Sequence, residues 1–167
     1  MASDSAHTLT LPSDLEIAMT RVFDAPRELV WNAWTDQEQV RKWWGPREYS
    51  CPVAKIDFRV GGTSFNCMRG PDGNDIWSIG TYKEIVPMKR FVVTDSFADK
   101  DGNVVPATHY GMPEMPTEML ITVEFEDLGG KTKMTMTHEG LPVGDMISGA
   151  TEGWGQSFDK LAELLAA

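Results

Sequence analysis

Cysteine is scarce, with Cys51 and Cys67 the two in 167 residues. They form no CxxC and have no histidine at zinc-ligand spacing, which excludes a disulfide framework, a dithiol motif and a structural zinc site; each reads as a buried reduced thiol. Basic residues are few. Fifteen Lys and Arg stand against 25 Asp and Glu, a net charge of −10, which repels the phosphate backbone that dominates nucleic-acid affinity. The longest apolar stretches, such as Phe91-Val92-Val93, fall far short of the roughly 20 residues of a membrane span, so none is expected. Met1-Ala-Ser-Asp-Ser has neither a basic nor an apolar leader region, and a cytoplasmic location is expected. The chain has no G-x-x-x-x-G-K-[ST] and no G-x-G-x-x-G, which leaves no phosphate-cradling loop and no ATPase motif. Gly61-Gly62 sits at a strand start, where a turn or bulge explains it. There is also no G-x-S-x-G, and Ser148, beside a helix start, reads as a cap rather than a nucleophile. No cofactor and no metal is implied.

Apolar residues make up 41% of the chain, enough for a real core. At about 150 residues per domain the length argues for one. Residues 1–13 are small and polar and read as a loose tail or an edge extension, with 14–167 a single domain. In Leu15–Phe23 the residues Leu15, Ile17 and Met19 recur at period two, which predicts a half-buried strand with Arg21 on its apolar parity. Asp24-Ala25-Pro26 then opens a short helix carrying Leu29, Val30, Ala33 and Trp34. Thr35 followed three residues on by Glu38 reads as a capping box for a second short helix with Val40, Trp43 and Trp44, stopped by Gly45-Pro46.

Turn signals at Gly61-Gly62, Pro71-Asp72-Gly73, Val86-Pro87 and Leu128-Gly129-Gly130 divide the middle of the chain into an antiparallel meander. Its strands are expected at 53–58, 62–69, 75–85, 90–97, 117–126 and 131–138. Residues 99–116 form a long connection rich in proline and glycine, with the character of a lid or binding loop. The C-terminal segment places Ile147, Trp154, Phe158, Leu161 and Leu165 on one stripe of a helix. Together these predict an α+β fold: a curved antiparallel sheet of six to seven strands wrapped around a long C-terminal helix, with two short helices after the first strand.

The run from Arg21 to Asp36, then Trp43-Trp44-Gly45-Pro46, Gly61-Gly62, Gly80-Thr-Tyr-Lys-Glu-Ile-Val-Pro87, Thr122-Val-Glu-Phe125, Gly153-Trp154, Phe158 and Leu161 resembles the homologues of the activator of heat-shock-protein-90 ATPase. That family belongs to the SRPBCC superfamily. The resemblance implies the helix-grip, START-like fold and an apolar pocket between sheet and C-terminal helix. It implies a small hydrophobic molecule as partner, with cyclase, dehydratase or hydrolase activity on an aromatic or polyketide-like substrate as an alternative. A chaperone-associated stress-response module is a further alternative. In the eukaryotic co-chaperone this fold is only the C-terminal part, and the domain making the main chaperone contact has no counterpart here, so chaperone contact is the lesser expectation. A homodimer is compatible with the sequence.

Strand parity nominates the pocket lining. Phe65 and Cys67, Trp77 and Ile79, Phe91 and Val93, Met119 and Ile121, and Met134 and Met136 each share one parity, and Trp154 and Phe158 face them from the helix. Methionine walls adapt to varied apolar ligands, although the same residues can fill a solid core. Gly149, Gly153 and Gly155 fall in the first half of that helix at about 1 kcal/mol each relative to Ala, which points to close packing or to a segment that moves. His138 follows Met134 and Met136 on the inward parity and is the one candidate acid or base, against a plain role in capping the sheet end. His109, Glu114 and Glu118 lie near one another in sequence, but Pro113 and Pro116 break the helical spacing that a metal motif needs. Trp43 and Trp44 beside Trp31 and Trp34 raise an aromatic cage; neighbouring residues of one helix face different ways, which favours core. Arg21 calls for a buried partner such as Asp36 or Glu38, or a ligand carboxylate.

Overall fold

Burial alternates without a break along Glu16–Phe23, with Ile17, Met19, Arg21 and Phe23 all buried, as a strand with one dry face requires. This segment is β2 of the computed structural model, which describes residues 7–10, 16–112, 114–140 and 145–167. Ahead of it runs β1 (His7–Thr10), and after it α1 (Arg27–Thr35) and α2 (Gln37–Trp43). The meander follows as β3 (Ser50–Ile56), β4 (Thr63–Arg69), β5 (Asp75–Val86), β6 (Arg90–Ala98), β7 (Met119–Asp127) and β8 (Thr132–Glu139), and the described chain ends in α3 (Asp145–Ala166). Leu15, Pro113, the rest of the 1–13 segment and the side chain of Ile147 lie outside the described residues.

All strands join one antiparallel sheet in the order β1-β2-β8-β7-β6-β5-β4-β3. The fold is the expected helix-grip α+β architecture. The eighth strand is β1, which pairs with β2 from His7 opposite Arg21 to Thr10 opposite Ala18, so part of the tail segment is an edge strand. Helix α2 starts differently from the capping-box expectation. Thr35 stays in α1, its hydroxyl donating to the Trp31 carbonyl at 3.1 Å, and Asp36 is the cap, accepting from the Glu38 amide at 2.9 Å. Asp fills this position as well as Thr because its carboxylate reaches the same free amides.

The core is aromatic where the short helices meet the sheet. Trp31 meets Phe58, Phe91 and Phe125 edge-on at 5.5, 6.0 and 5.3 Å, a favoured ring geometry. Trp34 and Trp43 satisfy their indole N–H groups on Met134 Sδ at 3.2 Å and the Ala33 carbonyl at 2.9 Å. Trp43 closes α2, and Trp44 continues in extended conformation at φ −66° and ψ 134°. The two neighbours therefore do reach one cluster, with Trp34 4.7 Å from Trp43 and 6.0 Å from Trp44. The opposing-faces expectation fails because Trp44 is outside the helix.

Two charged contacts fix α3. Arg21, buried in the inner face, pairs with Asp159 at 2.7 Å rather than with Asp36 or Glu38. The Lys160 ammonium donates to the carbonyls of Trp44, Gly45, Pro46 and Tyr49 at 3.1–3.4 Å, and burial beside the Arg47 guanidinium holds its pKa below the ordinary lysine value. Arg47 in turn pairs with Glu163, and its amide donates to Gln156 Oε1 at 3.0 Å. The 44–49 loop is thus tied to α3 along its length. Lys160→Met keeps the stem and removes the donor shared by these carbonyls, of which only Pro46 keeps another, the Tyr49 amide at 2.9 Å, so denaturant unfolding should show a loss of about 1–3 kcal/mol with an unchanged slope.

Candidate functional site

Cross-strand register decides which side chains face α3. From β2 through β7 the inward rows are apolar and closed: Ile17, Met19, Met134, Met136, Ile121 and Val123 are 0–3% exposed. Beyond β7 the character changes. In β6, Asp95 lies opposite Met119 and Val93 opposite Ile121; in β5, Ser78 lies opposite Phe97 and Tyr82 opposite Val93. In β4, Asn66 lies opposite Ser78 and Ser64 opposite Gly80. Residues directly opposite share a face, so the inward row continues as Asp95, Phe97, Ser78, Ser64 and Asn66. Ser64, Ser78, Asp95 and Phe97 are half-buried there. The inner row is thus closed along β2, β8 and β7, and partly exposed with small polar groups along β4–β6.

His138 stands at the border of the two halves, 6% exposed, on β8 opposite Ile17 and Ile121. Its Nδ1 accepts a hydrogen bond from the Trp154 indole N–H at 3.1 Å. An indole N–H can only donate, so Nδ1 carries no proton and the imidazole hydrogen sits on Nε2. Nε2 lies 3.3 Å from Asp95 Oδ2 across β7, off the line of a hydrogen bond and without another partner. Asn66 Oδ1 is also buried without a partner. Gly80 puts no side chain beside Asp95, and any Cβ there would collide with the Thr94 carbonyl at 1.9 Å. Trp154 covers His138 and joins the aromatic cluster, stacked on Trp34 at 6.3 Å and edge-on to the half-buried Trp44 at 5.5 Å.

Of the nominated residues, Phe91, Val93, Met119, Ile121, Met134, Met136 and His138 lie on the inner face of the sheet, and Trp154 and Phe158 come from α3. Apart from Trp154 they are buried, and Met134, Met136 and Phe158 are 0% exposed, packed rather than open. Phe65, Cys67, Trp77 and Ile79 are placed elsewhere. Phe65 pairs with Ile79 and Cys67 with Trp77 on the opposite face of the sheet, where the Phe65 and Trp77 rings stack at 5.0 Å. The inward expectation for these four is corrected on register. Ser64, Asn66, Ser78 and Asp95 lie on the parity that alternation assigns to solvent, which hides them in the sequence; Trp44, a cage candidate, is half-buried beside Trp154. The signal that marks them is the inverted pattern at the centre of β4 and β5, with Phe65, Cys67, Trp77 and Ile79 on one parity and Ser64, Asn66, Ser78 and Gly80 on the other.

The remaining candidates carry no chemistry here. Burial pushes the thiols of Cys51 and Cys67 up to about 11, so neither is a thiolate at neutral pH. His109, Glu114 and Glu118 are exposed, and among the described residues no group of three or more His, Cys, Asp or Glu is placed to hold a metal ion. The 99–116 connection is tied down by Tyr110, whose hydroxyl donates to the Ala98 carbonyl and accepts from the Trp77 amide at 3.1 Å, and Met115 packs on the core.

The family model described as activator of Hsp90 ATPase homolog 1-like protein matches residues 24–166. The chain belongs to this family. Its fold is shared with a protein from Chromobacterium violaceum, 28% identical with TM-score 0.77, the match covering 93% of this chain and 99% of that one. A protein from Nitrosomonas europaea is 26% identical with TM-score 0.75, over 93% and 97% of the two chains. An AHSA1 protein from Silicibacter pomeroyi, 23% identical with TM-score 0.74 over 90% and 97%, shares the fold. No curated protein matches. The activator-homolog family is consistent with the SRPBCC superfamily, whose fold commonly binds hydrophobic ligands. Among the described residues no helix is long and apolar enough to cross a membrane.

In this member of the family, the glycines of α3 divide by surroundings. A Cβ at Gly153 would meet the Pro46 ring at 3.4 Å, whereas at Gly149 it would meet nothing within 4 Å. Packing therefore does not require glycine at position 149, and Gly149→Ala should stabilise the protein by about 1 kcal/mol in denaturant titration. Trp154→Phe keeps a ring in place and removes the donor to His138. Imidazole nitrogen NMR should then change from a single Nε2–H tautomer to a mixture.

Proposed function

We propose that this protein binds a small, largely apolar molecule in the cleft between the inner face of β4–β6 and the N-terminal half of α3. The observation that carries the reading is the change along one sheet face, from a dry filled half to a half-exposed row in which two buried polar atoms, His138 Nε2 and Asn66 Oδ1, lack partners. A buried polar atom without a partner costs about 1–3 kcal/mol, a cost that a ligand supplying the missing bond removes. Trp44, Trp154 and Phe97 supply the apolar walls, with few polar groups to orient the guest, the usual balance of a ligand site. Lining roles for Met119 and His138 belong to the same reading. So does a cytoplasmic setting, in keeping with two buried free thiols.

An acid–base enzyme built on His138 is less well supported. As placed, Nδ1 is taken by Trp154 and Nε2 already holds its proton, so neither nitrogen can accept one from a substrate. Turnover would require Trp154 to leave.

A non-denaturing mass spectrum of purified protein tests the binding reading. We expect an adduct of small-molecule mass that is released on denaturation, and its loss in Ser78→Phe, which fills the cleft from a half-buried position without burying a charge. A bare mass, together with failure of the protein to take up an apolar fluorescent probe, overturns it.

A further inference from the structure

We propose that the molecule bound in this cleft presents a hydroxyl group to His138 and Asp95, accepting from His138 Nε2–H and donating to the Asp95 carboxylate. The proposal rests on the binding reading above and deepens it by ligand class. Three observations carry it. First, the Trp154 indole at 3.1 Å fixes the His138 tautomer, so the nitrogen turned toward Asp95 is a donor and cannot become an acceptor while that bond holds. Second, this donor is buried and has no hydrogen-bond partner, although Asp95 Oδ2 lies 3.3 Å away. Third, the Asp95 side chain is 25% exposed, so its carboxylate can be reached from outside the packed core.

Donor and acceptor accounting then separates the ligand classes. An ammonium group has donors only; it would satisfy Asp95 and leave Nε2–H facing a cation. A carboxylate has acceptors only; it would satisfy Nε2–H and be repelled by Asp95. Among the described residues the basic side chain that register turns inward, Arg21, is already paired with Asp159, and so does not offset that repulsion. A methyl group satisfies neither. An alcohol or phenol oxygen accepts and donates at once, and one such atom bridges the two side chains where their own geometry does not. Because the donor and the acceptor stand on β8 and β6 with β7 between them, the apolar body of the ligand is left to lie toward Trp44 and Trp154.

A matched series of one shape tests this: naphthol, methylnaphthalene and naphthoate at neutral pH, with affinity read from chemical-shift titrations of the protein. We expect naphthol to bind about tenfold or more tightly than both others, since one hydrogen bond involving a charged group is worth at least that factor. Asp95→Leu should remove the advantage of naphthol over methylnaphthalene while both still bind. His138→Phe should do the same, and Asp95→Asn, which preserves shape, provides a readout if either variant fails to fold. Binding of methylnaphthalene as tightly as naphthol, or tightest binding by naphthoate, overturns the hydroxyl proposal and leaves the cleft reading standing. Binding by none of the three, with no adduct in the mass spectrum, overturns the cleft reading itself.

Discussion

The ammonium of Lys160, set among four backbone carbonyls of the 44–49 loop, is the contact on which the rest of the arrangement depends. A lysine has three donors and no acceptor, and loop carbonyls turned toward a helix have no strand partner, so each solves the other's problem of lost water. The contact locks the position of α3 relative to the chain that leaves α2. Arg47 with Glu163 and Arg21 with Asp159 add two further ties along the helix. With α3 held at these points, Trp154 is set against His138 of β8.

The cleft follows from that placement. Trp44 belongs to the tied loop and Trp154 to the helix, and they meet edge-on at 5.5 Å because Lys160 holds one against the other. Trp154 then reaches His138 and sets its tautomer, so the ties that seat α3 also decide which imidazole nitrogen carries the hydrogen. The aromatic cluster beneath, with Trp34 and Trp43 as its buried members, serves as the floor. The activator-homolog family name describes chaperone biochemistry, whereas the fold itself is one that commonly binds hydrophobic ligands.

Much of the fold was legible before any coordinates. Alternation in β2, β7 and β8 and the stripe Trp154, Phe158 and Leu161 describe a sheet gripping a helix, because those elements are dry on one side and wet on the other. The site was less legible. Parity groups Phe65 with Cys67 and Trp77 with Ile79 correctly, yet it does not say which of a strand's two faces meets the helix. The apolar set was assigned inward by the general rule of burial, and β4 and β5 invert that rule, with stacked aromatics outside and serine and asparagine inside. The inversion gives those strands the pattern of a solvent-facing surface on the side that faces inward.

The sequence by itself determined the α+β class, the order of its elements, the family, the exclusion of nucleotide-loop and serine-nucleophile chemistry, and the inward parity of His138. These depend on composition, on local periodicity and on motifs whose residues are close in the chain. Only the three-dimensional arrangement decided that Arg21 pairs with Asp159, 138 residues away, that Lys160 caps the 44–49 loop, that Trp154 rather than Glu139 or a carbonyl partners His138, and that Asp95 shares its cleft. Such pairings are set by strand register, by the shift between Tyr82 and Glu84 in the β5–β6 ladder, and by where a long helix comes to rest. No short window of sequence contains that information.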